Sequence, residues 1–483
     1  MFKKIFIPIF AATILFSCSQ EEPQKQLTSL ETFELINTEV KSFSEAYMNL
    51  QNATSTIGHR LTGTKNGAKA EQLAFDLFTK YGLQNVRFFD FEARSWLRGD
   101  VKLEVDGNDL ACVSLAHSPV MIDTTAQIID LVNGLQRHFD SLKNQIAGKI
   151  VLMNIGNENG REGEENLHRS EKSLLAIDNG AAGIIFKNQV TGEILLTGTA
   201  SVTGDLIPIP AVCVSFETGE KLRESLKTKP EAKAHIQMTN KSEIIKARNV
   251  IAEHIGTELP NEYIVVGGHL DSWDLATGAI DNGIGSFSII DIARTFAKLK
   301  LNTKRSIRFV MFMGEEEGLL GSRAYVKHLK ETNKLAEVKY MVNLDMTGNA
   351  KGFNAFGREE MVNWMDSIGK LIAQADTFFA NENTNSAGLH SDHQPFMMEG
   401  IPVTWPNSNM NKGVYGCYHS SCDHFDLVKE SDMINNVRFT GMFLYELANA
   451  QTLPQHLPSE EVKAFLEKHN LKEKLILGKD WRW

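Results

Sequence analysis

The sequence predicts an α/β fold in which a mostly parallel central sheet is flanked by helices. After Ala247 the chain repeats strand, loop and helix. Apolar strand-like runs fall at 263–267, 306–313 and 340–344, and helical spacing covers 285–298, 319–331 and 432–450. Alternating βα units of this kind build parallel sheets covered on both faces. Hydrophobic residues make up 42% and charged residues 23%, which supports a substantial core. At roughly 100–200 residues per domain, 483 residues make two to four domains.

The elements follow in chain order. Lys3 and Lys4 precede an apolar run over 6–16, the pattern of a secretory signal. Leu15-Phe16-Ser17-Cys18 resembles a bacterial lipobox, in which cleavage leaves a lipid-bearing Cys18. The alternative is a plain signal peptide with an incidental cysteine. Residues 1–18 are thus read as a lipoprotein signal and 19–28 as a polar tether. Helical spacing covers 30–50 and 66–81, with Gly82 as a C-cap, and 86–91 reads as a strand. From 118 the texture changes. A strand at 149–153 is followed by a polar loop over 156–165, a helix over 170–179 and a second apolar run ending at Phe186. The division expected is 29–117 for the first part of the main domain, 118–240 for an insert, 241–455 for the rest of the main domain and 456–483 for a tail.

Several classes are excluded. Lys+Arg of 50 against Asp+Glu of 60 gives a net charge of −10, which argues against a nucleic-acid partner. No internal apolar run reaches about 18 residues, so the chain is not a multi-span membrane protein. Membrane contact is expected only through the lipid anchor, in the bacterial cell envelope. Five cysteines are too sparse for a disulfide scaffold. Export permits disulfides. Cys417 and Cys422, which flank His419, are read either as a bridge or as two buried thiols.

The chemistry-bearing residues gather at strand ends. The run at 263–267 leads into His269-Leu270-Asp271, and Asp281 follows twelve residues after His269. The run at 306–313 leads into Glu315-Glu316-Glu317, and the one at 340–344 into Asp345. Tyr418-His419 lies in a late loop before the last long helix. Singly each is weak: an acidic triplet is usually a solvated helix start, and a lone Asp can be an N-cap. Together they lie where α/β sheets bind ligands, outside the carboxyl ends of the strands.

GGHLDSWDLATGAIDNGIGS, GEEEGLLGS, NLDMTGN, SDHQPF and YHSSCDHFD together resemble the co-catalytic zinc exopeptidases, which include zinc aminopeptidases and glutamate carboxypeptidases. Ser272-Trp273-Asp274, IGHRLTGTKNGAKAE and SWLRGD look most like the carboxypeptidase Q subgroup, and the insert is similar to a protease-associated domain. The resemblance implies the zinc exopeptidase fold with that smaller domain inserted. It implies two zinc ions per chain, with Asp281 bridging, Glu316 and His419 completing one site, and His269 and Asp345 the other. Glu315 would be the general base, taking a proton from water and passing it to the leaving amine. Asp271 would fix the tautomer of His269. Tyr418 would stabilise the oxyanion, or else pack beside the metal loop. Glu317 is expected to be a bystander, and His390, His393 and His424 stay outside the metal set. Asn282 departs from the second Asp found in many relatives.

The activity implied is hydrolysis of small peptides or dipeptides, by an aminopeptidase, dipeptidase or carboxypeptidase. The alternatives are an inactive relative that binds through its inserted domain, and a two-zinc amide hydrolase acting on a non-peptide substrate. A homodimer is compatible with the sequence.

Overall fold

A computed structural model of the chain describes Met1 and residues 27–483. The signal and lipobox residues, Cys18 included, lie outside the described residues. No helix among the described residues is long and apolar enough to cross a membrane.

The main sheet has six strands, in the order Gln84–Leu97, Lys241–His254, Arg305–Phe312, Leu259–His269, Val338–Asn343, Val403–Thr404. The last four run parallel to one another, and the first two are antiparallel additions at one edge. Every residue of Arg305–Phe312 is buried, as a central strand covered on both faces requires. Alternate side chains feed two different cores. Ile264, Val266, Ile307 and Phe309 pack with Phe33, Phe78, Phe287 and Phe443. Val265, Val310 and Phe312 pack with Tyr325, Leu329, Phe396 and Leu466. The period of two in the strand is thus what glues a helix layer to each face.

One expectation over 30–50 is corrected. The spacing reads as a single helix, but the structure has two, Ser29–Phe43 and Ala46–Thr56. The break lies at Ser44 and Glu45. Ser44 Oγ donates to Asp291 Oδ2 (2.8 Å) and the Glu45 N–H to Asp291 Oδ1 (3.0 Å). A buried carboxylate on the neighbouring helix takes the backbone out of the helical path.

The insert has its own eight-stranded sheet, in the order Asn108–Leu110, Val101–Val105, Lys233–Thr239, Met121–Asp130, Ile150–Asn154, Gly183–Lys187, Ala211–Val214, Val113–Ser114. It therefore draws on strands upstream of 118, because Val101–Val105 pairs along Lys233–Thr239. The insert docks on the carboxyl ends of the parallel strands. The Thr197 N–H donates to the His419 carbonyl (2.9 Å), and Arg98 forks onto Asp274 with two bonds (2.9 and 2.8 Å).

Candidate active site

Three parallel strands deliver the site. Leu259–His269 ends on His269, Arg305–Phe312 runs out into Glu315 and Glu316, and Val338–Asn343 runs out to Asp345. The loops come close because glycine allows it. A Cβ on Gly268 would lie 2.3 Å from the Leu344 carbonyl oxygen.

The structure brings all five expected ligands together, sharing Asp281. His269 Nε2 lies 3.2 Å from Asp281 Oδ1 and 3.3 Å from Asp345 Oδ1. His419 Nε2 lies 3.0 Å from Asp281 Oδ2 and 2.8 Å from Glu316 Oε2. Asp281 therefore offers one carboxylate oxygen to each half of the cluster. Donor atoms of His269, Asp281 and Glu316 all fall within 4.8 Å of one another. Glu316 Oε1 is buried and has no hydrogen-bond partner. Such an orphaned carboxylate oxygen among imidazole and carboxylate donors suits zinc.

The electrostatics agree. Burial, then repulsion from Asp281, pushes Glu316 well above the usual carboxylate range. Burial does the same to Glu315, helped by Asp345 and Glu316. Burial would lower His269, but Asp345, Glu315 and its contacts with Asp271 and Asp281 hold it well above the ordinary imidazole value. His419 goes the other way, to about 4, through burial and then the Arg169 guanidinium. Without a cation the cluster repels itself. Divalent cations would relieve that repulsion.

The supporting residues explain the placement. Both Asp271 oxygens accept backbone N–H groups, from Glu315 and from Glu316 (3.3 Å each). His269 Nδ1 sits 3.1 Å from the Asp271 backbone carbonyl, nearer than the 3.7 Å to its carboxylate. The Asp271 backbone carbonyl is thus the nearer acceptor for His269, and the Asp271 carboxylate shapes the Glu315-Glu316 loop. Asn282 acts as a staple between loops. Its amide donates to the Leu344 carbonyl (2.7 Å) and accepts from the Met346 N–H (3.0 Å). An Asp there could not make the first bond. Glu315 is half-buried, and it faces both cavities that open from the centre. Tyr418 stacks on His419 with ring centroids 3.7 Å apart, and it lines the same two cavities. Glu317 is fully buried rather than solvated. Its Oε1 accepts the Trp96 N–H at 3.3 Å. Cys417 and Cys422 form a disulfide across the His419 loop. His393 bonds the Gly388 carbonyl (3.1 Å), His390 stacks on His168, and neither joins the donor set.

Four contributors were not legible as such. Asp423 accepts the N–H groups of Ile280 (2.8 Å) and Asp281 (2.9 Å), which fixes the backbone of the shared ligand. Ser391 Oγ donates to Asp345 Oδ2 (2.6 Å). Arg60, fully buried, donates to the carbonyls of Leu270, Thr277 and Gly278 beneath the His269–Asp281 loop. Arg169 crosses from the insert, and its Nη2 lies 2.9 Å from His419 Nδ1. The motif around Asp423 held a hint. For Arg169, 250 residues away from His419 in sequence, there was none.

The model of peptidase family M28 matches residues 249–442, the segment that holds every expected ligand, and the PA domain model matches 117–222. The segment that matches the PA domain model precedes the one that matches the M28 model. Mouse carboxypeptidase Q is 28% identical over 295 residues, spanning 58% of this chain and 61% of the mouse protein. Among solved structures, a peptidase M28 precursor from Shewanella amazonensis superposes with a TM-score of 0.76 at 22% identity, over 89% of this chain and 99% of that one. A zinc aminopeptidase from Bacillus subtilis gives 0.64 at 24% identity, over 85% and 96%. These likenesses establish the fold, a mixed α/β architecture with a PA-like domain inserted and helices flanking the sheet.

Proposed function

We propose that the chain is a two-zinc exopeptidase acting on small peptides or dipeptides. The observation that carries this reading is Asp281, whose two carboxylate oxygens each face a separate histidine–carboxylate group. His269 and Asp345 would hold one ion, Glu316 and His419 the other. When bound, the ions polarise the scissile carbonyl and make water a better nucleophile. The remaining work belongs to the protein. Glu315, facing both cavities and held at its backbone by Asp271, takes a proton from the attacking water and returns it to the leaving amine. Tyr418 keeps its phenol proton, because burial raises it, and so can donate to the developing oxyanion.

Arg169 supports a substrate with a free carboxylate. It is nine-tenths or more buried and faces the cavity on the insert side of the centre, and its Nε has no partner. A histidine that ligates through Nε2 carries its proton on Nδ1. The guanidinium can then no longer donate there, which leaves that N–H for another acceptor beside its contact with Tyr418. A peptide carboxylate fits a guanidinium fork.

The test is zinc analysis with a dipeptide panel, with and without chelator. Two equivalents of zinc and chelator-sensitive cleavage support the reading, and no cleavage at full zinc loading overturns it. We also propose that the protein is exported and lipid-anchored through Cys18. Cys18→Ala should then leave the membrane fraction, and unchanged fractionation counts against the anchor.

A further inference from the structure

The cavity on the insert side of the centre has a third wall that belongs to neither matched family segment. Arg169 and Glu171 come from the insert, Glu315 and His419 from the centre, and Leu475 and Asp480 from the C-terminal tail. The cavity measures about 120 Å³, against about 570 Å³ for the one on the other side of the centre. The insert side is therefore the narrower of the two.

Asp480 is the keystone of that wall. Arg323 grips it with two bonds (2.6 Å each), and Gln394 Nε2 donates to it at 2.8 Å. Gln394 Oε1 in turn accepts the His390 N–H (2.8 Å), and His390 stacks on His168 of the insert with centroids 5.0 Å apart. A continuous rim thus runs from the tail to the insert. Lys474 adds a second tie, to Glu165 of the insert (2.5 Å). The tail is anchored separately by Leu475, which is only 1% exposed in the core below. Asp480 and Arg323 are more open, at 19% and 38% side-chain exposure. Loosening Asp480 would therefore free the rim without unseating the anchor.

We infer that the C-terminal segment 471–483 is a length gate, with Asp480 as the positioning residue that limits how far a substrate extends past the scissile bond on the insert side. The inference rests on the exopeptidase reading above. Arg323 and Lys474 are paired with carboxylates, whereas Arg169 touches His419 and Tyr418 and no carboxylate, so the limited end is the carboxyl end. The substrate class is dipeptides and peptides that place one carboxyl-terminal residue there.

The experiment uses the zinc-loaded full chain, Asp480→Asn, Asp480→Glu and a chain lacking residues 479–483. Substrates are one dipeptide and its extensions by one residue at either end. In the parent, extension at the carboxyl end should lower kcat/KM at least about tenfold, a penalty of the size steric exclusion gives. Asp480→Asn and the truncation should each shrink that gap about tenfold, through KM. Asp480→Glu should keep most of it. Titration calorimetry with reduced-amide analogues of the same peptides should show the same gap in binding. A gap unchanged in variants of parental Tm and zinc content overturns the gate, as does a response confined to amino-terminal extension. A parent that binds the analogues but cleaves none of the peptides sinks the exopeptidase reading instead, and the titration still decides the gate.

Discussion

Three adjacent glutamates make the sharpest test at the level of single residues. They share a loop and would undergo the same change, yet their surroundings differ. Glu315→Gln removes the proton acceptor but leaves the donor cluster whole. Turnover should fall roughly 10²–10⁴-fold with zinc content and substrate binding kept. Glu316→Gln puts a neutral amide beside His419 Nε2, where Oε2 now lies 2.8 Å away. It should lose zinc along with activity. Glu317→Gln should keep both, because a glutamine oxygen can still accept the Trp96 N–H, and burial already pushes the Glu317 carboxyl well above its usual range, towards the neutral form that glutamine mimics. Atomic zinc analysis beside steady-state kinetics checks all three, and an inactive, zinc-replete Glu317→Gln would reassign the roles along the loop. Asp281 stands apart, since one residue serves both halves of the cluster. Asp281→Ala should reduce bound zinc to well under one equivalent, whereas His419→Ala should cost mainly one ion. Two equivalents retained in Asp281→Ala would refute the sharing.

Among the secondary elements, the sheet was legible because its strands carry their own signal. The fully buried run Arg305–Phe312 and the alternation of Ile264, Val265 and Val266 between two cores follow from apolar patterning. The break at Ser44 was not legible, because its cause, Asp291, lies 247 residues along the chain. The same holds for the His419 loop, whose conformation is set by contacts from outside it. His419 has φ +52°, a left-handed backbone that costs a non-glycine residue roughly 1–2 kcal/mol. The Cys417–Cys422 disulfide closes the loop around it, with five residues of separation. The chain-entropy relation gives so short a loop roughly 2 kcal/mol. Replacing both cysteines by serine should lower Tm and speed extraction of zinc by a chelator several-fold. An unchanged extraction rate would mean that the insert alone holds the loop, through the Thr197 N–H bond to the His419 carbonyl.

At the level of the whole molecule, the segment that matches the M28 model supplies the donor cluster, and two added parts, the insert and the tail, close one side of it. This division explains what the sequence could and could not reveal. His269, Asp281, Glu316, Asp345 and His419 lie within motifs that chain order keeps together. Arg169 sits at the first turn of Arg169–Asp178, a helix whose local signals, its cap and its apolar spacing, say nothing of the site. Its meaning appears only when the insert docks. The consequence for substrate choice can be measured directly. Arg169→Met keeps an apolar stem of similar length and removes the charge. A charge-assisted hydrogen bond is worth about 1.5–3 kcal/mol. At about 1.4 kcal/mol per factor of ten, KM for a dipeptide with a free carboxylate should rise roughly 10–100-fold. The matching dipeptide amide offers no anion to lose, so its KM should hardly move, and the preference for acid over amide should collapse. Arg169→Lys should retain part of that preference, because a point charge remains without the fork. Zinc content must match the parent in both variants, since Arg169 also touches His419. If acid and amide suffer equally at equal zinc loading, Arg169 serves only to brace the His419 loop, and the carboxylate must be read elsewhere, with Lys351 on the larger cavity the next cation to replace.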